Sequence, residues 1–365
     1  MKQNQILRIY GTEYKVLTKE LLAAADLAGM IKDRSLSVGI KPNLVAPVPA
    51  EFGATTHPEI VAGIIEYLKE NGFEDILMVE GSWVGDKTSD AFEYCGYKRL
   101  SEVYEVPFVD TQKDGSHEVE CDGVALNICD VVDRIDFLIN VPVLKGHCQT
   151  KITCALKNMK GLIPNTEKRK FHSMGLHTPI AHLSRGILQD FIVVDHICGD
   201  LDFEEGGNPV VRNCIMAAMD PVLVDSLACK ICGYSVEDVP YIVKAHELGS
   251  GECDLSKAEI VDLNEGGFID ETPREHKILK VSYAVDEVDS CSACYGNLVP
   301  ALMRLEEEGL LTELKDPIAI GQGHQGKTGK LGVGRCTGGY EFCIMGCPPD
   351  EEKIYQELKE YLEKK

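Results

Sequence analysis

VPVLKGHCQTKITCALKNMKG, residues 141–161, reads as the end of a buried strand, a short polar loop and a helix. The strand half, residues 135–144, is nearly continuous in apolar side chains, the pattern of an inner parallel strand covered on both faces. Polarity returns at Lys145. On the helix that should follow, Ile152, Ala155, Leu156 and Met159 fall at i, i+3, i+4 and i+7 and make one apolar stripe. A second stripe carries Thr150, Thr153, Cys154, Lys157, Asn158 and Gly161. A solvated helix face usually mixes acids and bases. This one offers hydroxyls, a thiol, an amide and an ammonium with no carboxylate. At the carboxyl end of a strand, where open α/β sheets bind ligands, such donors suit a small anionic molecule.

The flanking chain repeats the same grammar. Residues 6–10 and 36–40 read as strands, the second running into Lys41-Pro42-Asn43, and residues 17–30 read as a helix. Thr55-Thr56-His57-Pro58 opens the clearest helix, with a Thr cap, Pro in the first turn, apolar Ile60, Val61, Ile64, Ile65 and Leu68, and Gly72 as its stop. Residues 75–79, 106–109, 124–128, 191–194 and 214–219 add strands, and residues 88–95, 179–188 and 222–232 add helices. Residues 164–177 are irregular and basic and read as a loop. Repeated strand, loop and helix units imply an α/β fold with a mainly parallel, doubly wound sheet. Asp195 and Asp220 each follow a strand, which places both at strand carboxyl ends and allows them to face one cleft.

With 59 acidic and 37 basic residues the chain has a net charge of −22, so its surface repels nucleic-acid backbones and anionic lipid. No apolar run reaches the roughly 18 to 20 residues of a membrane helix, and residues 1–10 lack a signal-peptide layout. The expectation is a cytoplasmic protein with no nucleic-acid and no membrane partner. Fifteen cysteines in that setting point to metal or redox chemistry where they cluster and to packing where they do not. Cys229 and Cys232, at the end of a helix, read as packing.

After residues 278–284, read as a strand, the pattern changes. Near Asp286 a boundary separates an α/β core, residues 1–286, from a cysteine-rich module, residues 287–365, with an acidic terminal helix over residues 350–365. The module carries Cys291-Ser-Ala-Cys294, then Cys336, Cys343 and Cys347, the last before Pro348. A C-x2-C pair, distant cysteines and a cysteine followed by Pro are elements of iron-sulfur ligation. The repeated ferredoxin run is absent, so one cluster is expected, with [4Fe-4S] preferred and Cys291, Cys294, Cys336 and Cys347 as ligands; Cys343 is the spare. A four-thiolate zinc site or a dithiol at Cys291 and Cys294 would use the same residues.

Gly321-Gln-Gly-His-Gln-Gly-Lys327-Thr328 matches the spacing of a phosphate-binding loop, but glycines at 329, 332 and 334 deny it the helix such a loop needs. Its glycines instead let backbone wrap closely around a cysteine-bound centre. His147, His172, His177, His182 and His196 fall within fifty residues without metal-ligand spacing, and all but one read as structural. The exception is His147, which shares a loop with Lys145 and could bind an anion or move a proton.

Ile40-Lys-Pro-Asn-Leu44, Thr55-Thr-His-Pro58, Pro142-Val-Leu-Lys-Gly-His147, Thr153 with Ala155-Leu-Lys-Asn158 and Gly161, Asp195, Gly206-Gly207 and Asp220-Pro-Val-Leu-Val-Asp225 together resemble the domain of unknown function 362 family. The resemblance covers residues 37–251. It implies an α/β fold and an iron-sulfur module, commonly a ferredoxin-like insertion, from which these dispersed C-terminal cysteines depart.

The sequence therefore leads to an iron-sulfur redox protein or oxidoreductase acting on or near a small anionic ligand. Lys145, His147 and Lys157 are the candidate catalytic groups, and Lys41, Asn43, Thr153, Asn158, Asp195 and Asp220 the candidate ligand-binding groups. An electron-transfer partner is the second expected interaction. A non-redox isomerase or lyase using Lys145 or His147 with a structural metal, and a substrate-free electron carrier, are the alternatives.

Overall fold

A computed structural model of the chain describes residues 1–265 and 280–364. The chain divides into two units, the first made of Met1–Gly146, Thr150–Leu201 and Gly206–Pro273, the second of His147–Gln149, Asp202–Glu205 and Arg274–Lys365.

The first unit is built on an eight-stranded sheet. Its strands are β1 (Gln5–Tyr10), β2 (Val38–Pro42), β3 (Ile76–Glu80), β4 (Phe108–Asp110), β7 (Phe137–Val141), β10 (Phe191–His196), β11 (Cys214–Ala218) and β12 (Glu259–Asp262). Four further strands lie outside that sheet: β5 (Ser116–Glu120), β6 (Ala125–Cys129), β8 (Lys145–His147) and β9 (Lys151–Thr153). The sheet order is β12-β1-β11-β10-β7-β2-β3-β4. Every neighbouring pair is parallel except those made by β11, which runs antiparallel to both β1 and β10. Alternation along the strands feeds two cores. Val79, Leu138, Val194 and Met216 pack under the helices His177–Gly186 and Pro221–Ile231, while Ile40, Met78, Ile139 and Val193 pack under Tyr14–Ala25 and Pro58–Glu70. Helices on both faces make the sheet doubly wound and mainly parallel, as the sequence pattern requires.

Several local expectations are corrected. The helix anticipated over residues 150–161 shrinks to Ala155–Asn158 plus a 3-10 turn, Met159–Leu162. Thr150, Ile152 and Thr153 are β-branched and favour extended backbone, and Lys151 takes a positive φ of 63°. Helical backbone begins only after Cys154, where Asp225 accepts the first two N–H groups, those of Ala155 and Leu156. Residues 164–177 are not a loop throughout, because Asn165–Met174 is a helix. The helix Pro58–Glu70 starts from His57 with no side-chain cap, since the Thr56 hydroxyl donates instead to the Val141 carbonyl. Strand β6 acquires an antiparallel partner, β5, whose exposed polar residues hid it from hydrophobic pattern.

The antiparallel course of β11 has the largest consequence. Its carboxyl end lies at the sheet edge opposite that of β10, so Asp220 and Asp195 are not on one cleft. Asp220 caps the helix Pro221–Ile231, accepting from the N–H groups of Val222 and Leu223, and it also accepts from Glu252 N–H.

The second unit has its own sheet, in the order β13 (Val285–Glu287), β14 (Ile318–Ile320), β15 (Leu331–Val333) and β16 (Phe342–Ile344), all parallel. The helices Ser292–Glu307 and Glu351–Glu363 cover it around Leu298, Leu302, Ile320, Val333, Ile344 and Leu358. Asp350 caps the terminal helix. Of the strand read over residues 278–284, 278 and 279 lie outside the described residues, Ser282–Ala284 is a 3-10 turn, and β13 comes just after it. Strands of three residues carry too little periodicity to be read in advance.

Candidate functional site

In the first unit the chain leaves β2 toward β3 on one side and leaves β7 toward β10 on the other. The carboxyl ends of β2 and β7 therefore flank the point where strand order reverses, the usual ligand crevice of open α/β sheets. Lys41, Asn43, Lys145, Lys157 and Asn158 all converge there and are all buried. Their donors meet one another in part and otherwise meet neighbouring carbonyls and side chains. Lys41 pairs with Glu80, a carboxylate that no helix-face argument could supply because it ends the neighbouring strand β3. Burial pulls the Lys41 ammonium downward and Glu80 opposes that pull.

The amide of Asn43 donates to Asn158 Oδ1 at 2.8 Å, and Asn158 donates to Asn140 Oδ1 at 2.7 Å. Lys145 donates to the Ala54 carbonyl at 2.6 Å and reaches Asn43 Oδ1 at 3.4 Å. Lys157 donates to Thr153 Oγ1 at 3.1 Å. The result is a connected polar network in which each member fixes the next.

Lys168, read as part of a loop, adds a further buried ammonium on carbonyls of Gly81 and Ser82, at 2.9 and 2.8 Å. Burial lowers it to about 8 despite nearby Glu80. Gly161 lies against the ion pair so closely that a Cβ would fall 1.9 Å from Glu80 Oε1. Asp195 sits at the same sheet edge, where it holds His57 through the ring Nδ1 and the backbone N–H, both at 2.8 Å. Lys145 belongs to the first unit and His147 to the second, where His147 Nε2 pairs with Glu204 at 3.0 Å. Among the other histidines, His182 meets the Cys121 carbonyl and His177 stacks on Tyr241, while the His172 side chain is outside the description.

The thiols of the second unit form a distinct set. Cys291 is the N-cap of the helix Ser292–Glu307 and Cys294 lies in its first turn. Burial pushes the Cys291 thiol up, and Cys336 and Cys347 push it the same way. Burial pushes Cys294 up to about 12, with Cys291, Cys347 and Cys336 adding to it. Cys336 and Cys347 thus bear on both thiols of the Cys291–Cys294 pair. Cys343 turns elsewhere, toward the Thr337 hydroxyl at 3.4 Å and the Gly334 carbonyl at 3.5 Å.

The glycine-rich loop runs on without a helix after Lys327-Thr328, so it is no phosphate loop. It faces the thiols instead. Gln322 Nε2 donates to Cys291 Sγ at 3.5 Å and Gln325 Nε2 to Cys336 Sγ at 3.4 Å, two contacts that the sequence reading missed. Gly334, at φ 91°, lies where an added Cβ would be 3.6 Å from Cys294 Sγ.

Among the described residues no three cysteine sulfurs lie within 4.8 Å of one another. A separate trio, His246, Glu252 and Cys253, brings its ligand atoms within 4.8 Å, but Glu252 is already held by Lys257 at 2.6 Å. Cys229 and Cys232 are fully buried in the core, as read. No helix among the described residues is long and apolar enough to cross a membrane.

Residues 38–230 match the profile of a family described as a domain of unknown function (DUF362). A thylakoid-associated protein of Synechocystis sp. is 24% identical over 222 residues, 58% of this chain and 67% of that protein. Among solved structures, the lactate racemase apoprotein from Thermoanaerobacterium thermosaccharolyticum aligns at 14% identity with a TM-score of 0.37, over 58% of this chain and 54% of that one. A protein from Thermotoga maritima aligns at 13% identity with a TM-score of 0.36, over 66% of this chain and 60% of that one. The chain thus spans little more than half the length of either solved chain.

Proposed function

The chain belongs to the family described as a domain of unknown function (DUF362), and from that premise we propose that it is an iron-sulfur redox protein whose single cluster, [4Fe-4S], is held by Cys291, Cys294, Cys336 and Cys347. The observation that supports this reading is the glycine-rich loop turned toward the thiols, with Gln322 on Cys291, Gln325 on Cys336 and Gly334 beside Cys294, while Cys343 is engaged elsewhere. The C-x2-C pair, the distant Cys336 and the Cys347 that precedes Pro348 are elements of iron-sulfur ligation, which favours a cluster in this reading. When bound, such a cluster supplies one-electron transfer. The chain's own part is to offer four thiolates and to aim the Gln322 and Gln325 N–H groups at two of them, which favours the reduced, more negative state.

The strand-end network supplies the second half of the proposal. The buried side chains of Lys145, Lys157 and Lys168 gather several N–H donors at that edge of the first unit, donors of the kind that suit a small anion. In this reading the second unit handles electrons and the first unit handles the anion, with an electron partner exchanging at the second unit.

Cysteine variants test the ligand set. Cys336→Ser and Cys347→Ser prepared anaerobically are expected to lose most iron and acid-labile sulfide, whereas Cys343→Ser keeps both. Equal loss in all three would remove the assignment. For the anion site, Lys145→Ala that leaves binding of a panel of small carboxylates and phosphates unchanged would remove that half.

A further inference from the structure

At the same sheet edge as the lysine network, the loop before the helix Pro58–Glu70 and the end of β10 bring three further side chains into a line. Asp195 Oδ2 accepts from His57 Nδ1 at 2.8 Å, and the other ring nitrogen, Nε2, faces Cys198 Sγ at 3.7 Å. Asp195 is fixed independently by the His57 and Ile197 N–H groups, so the carboxylate cannot turn away. The edge of the Tyr14 ring closes one side of the imidazole, with centroids 5.5 Å apart. All three residues are almost completely enclosed.

The order of the groups matters more than their number. A metal site gathers donors around one point, but here the imidazole lies between carboxylate and sulfur and spends one nitrogen on each. That is the arrangement of a nucleophile, a base and a group that orients the base. Burial alone would strip the charge from His57, yet Asp195 outweighs it and raises the imidazole to about 11. Cys198 therefore faces an imidazolium, the kind of neighbour found beside reactive cysteines. Cys198 Sγ also lies 3.5 Å from the Ala50 carbonyl; a purely structural reading, with His57 as a helix start and Cys198 as a small core residue, accounts for that contact and for those of Asp195 but leaves the second imidazole nitrogen at the sulfur unexplained.

We propose that Cys198 is a nucleophilic thiol, with His57 as its charge partner and Asp195 as a positioning residue, able to react with small carbon electrophiles. In the step, the Cys198 sulfur forms a bond to the electrophilic carbon as the bond from that carbon to the leaving group breaks. The leaving group departs with the electron pair and, when it is basic, takes the proton from His57 Nε2. No oxidant or reductant is required, and the site is independent of the cysteine module.

The full-length reduced protein tests this with iodoacetamide as the electrophile, iodide leaving, and peptide mass spectrometry following each cysteine over time. Cys95 is the internal control. It is as enclosed as Cys198, both 6% exposed, but its sulfur faces the carbonyls of Val48 and Ala46 and the Thr55 side chain rather than an imidazole. Cys198 is expected to be alkylated at least ten-fold faster than Cys95 in the wild type, and His57→Gln to erase that ratio while Cys95 keeps its own rate. If His57→Gln fails to fold, the wild-type ratio decides alone. Equal rates for Cys198 and Cys95 in the folded wild type overturn the proposal.

Discussion

Gly161 shows how much one missing methyl group can matter. Its backbone approaches the Lys41–Glu80 pair so closely that an alanine Cβ would also fall 2.6 Å from Lys41 Cε. Gly161→Ala must therefore push a buried ion pair apart, and parting such a pair costs about 3–5 kcal/mol. A fall of that order in unfolding free energy, read by denaturant titration, is expected; a change below about 1 kcal/mol would show that the pair adjusts freely. His196 makes the complementary point. It is fully enclosed at the end of β10, neither ring nitrogen has a hydrogen-bond partner among the described residues, and burial lowers it to about 4. The unfolded chain binds this proton below about 6.5 and the folded chain does not until about 4, so stability is full above that window and falls as pH drops through it. The shift is worth on the order of 3 kcal/mol. His196→Leu is expected to flatten the stability profile between pH 6.5 and 4, and an unchanged acid slope would contradict the assignment. Neither role was legible in the sequence, where Gly161 stood on a helix face and His196 was one of five scattered histidines. Both depend on what a neighbouring strand brings alongside.

At the scale of elements, the sequence was clearest where one element carries its own evidence. The helix Pro58–Glu70 and the terminal helix announce themselves through spacing and a first-turn Pro or Asp. It failed where the deciding contact comes from far along the chain. The short helix Ala155–Asn158 begins where Asp225, seventy residues on, accepts its first N–H groups. Strand direction is likewise invisible in a hydrophobic run, so β11 read as one more parallel strand, and Asp220 was assigned to a cleft it does not reach. Its observed place gives a sharp expectation. Asp220→Ala should cost about 1–2 kcal/mol as a lost helix cap and leave anion binding unchanged. Weakened binding without loss of stability would return Asp220 to the site. In the second unit, Gln322 and Gln325 act as a pair on one loop. Gln322→Leu with Gln325→Leu is expected to leave iron and sulfide content intact and to move the cluster midpoint potential to more negative values, because donors to the sulfurs stabilise the added electron. An unmoved potential in a fully loaded double variant would mean that those amides do not tune it.

Across the whole molecule, the sequence identified an α/β core with a mainly parallel, doubly wound sheet and set the C-terminal thiols apart from the scattered ones. The core was legible because inner parallel strands are almost wholly apolar, while the small parallel sheet of the second unit was not, because three-residue strands have no pattern to show. Two chemistries with different demands are proposed on this organisation: lysine side chains at strand ends for a small anion, and four thiols for a metal centre. The second governs the first, since a redox centre and a structural ion imply different reactions. The most direct measurement is anaerobic purification of the full chain, followed by iron, acid-labile sulfide and zinc analysis and electron paramagnetic resonance before and after dithionite. The account predicts about four irons and four sulfides per chain, with a signal that appears on reduction. About one zinc per chain, no sulfide and no signal would contradict it.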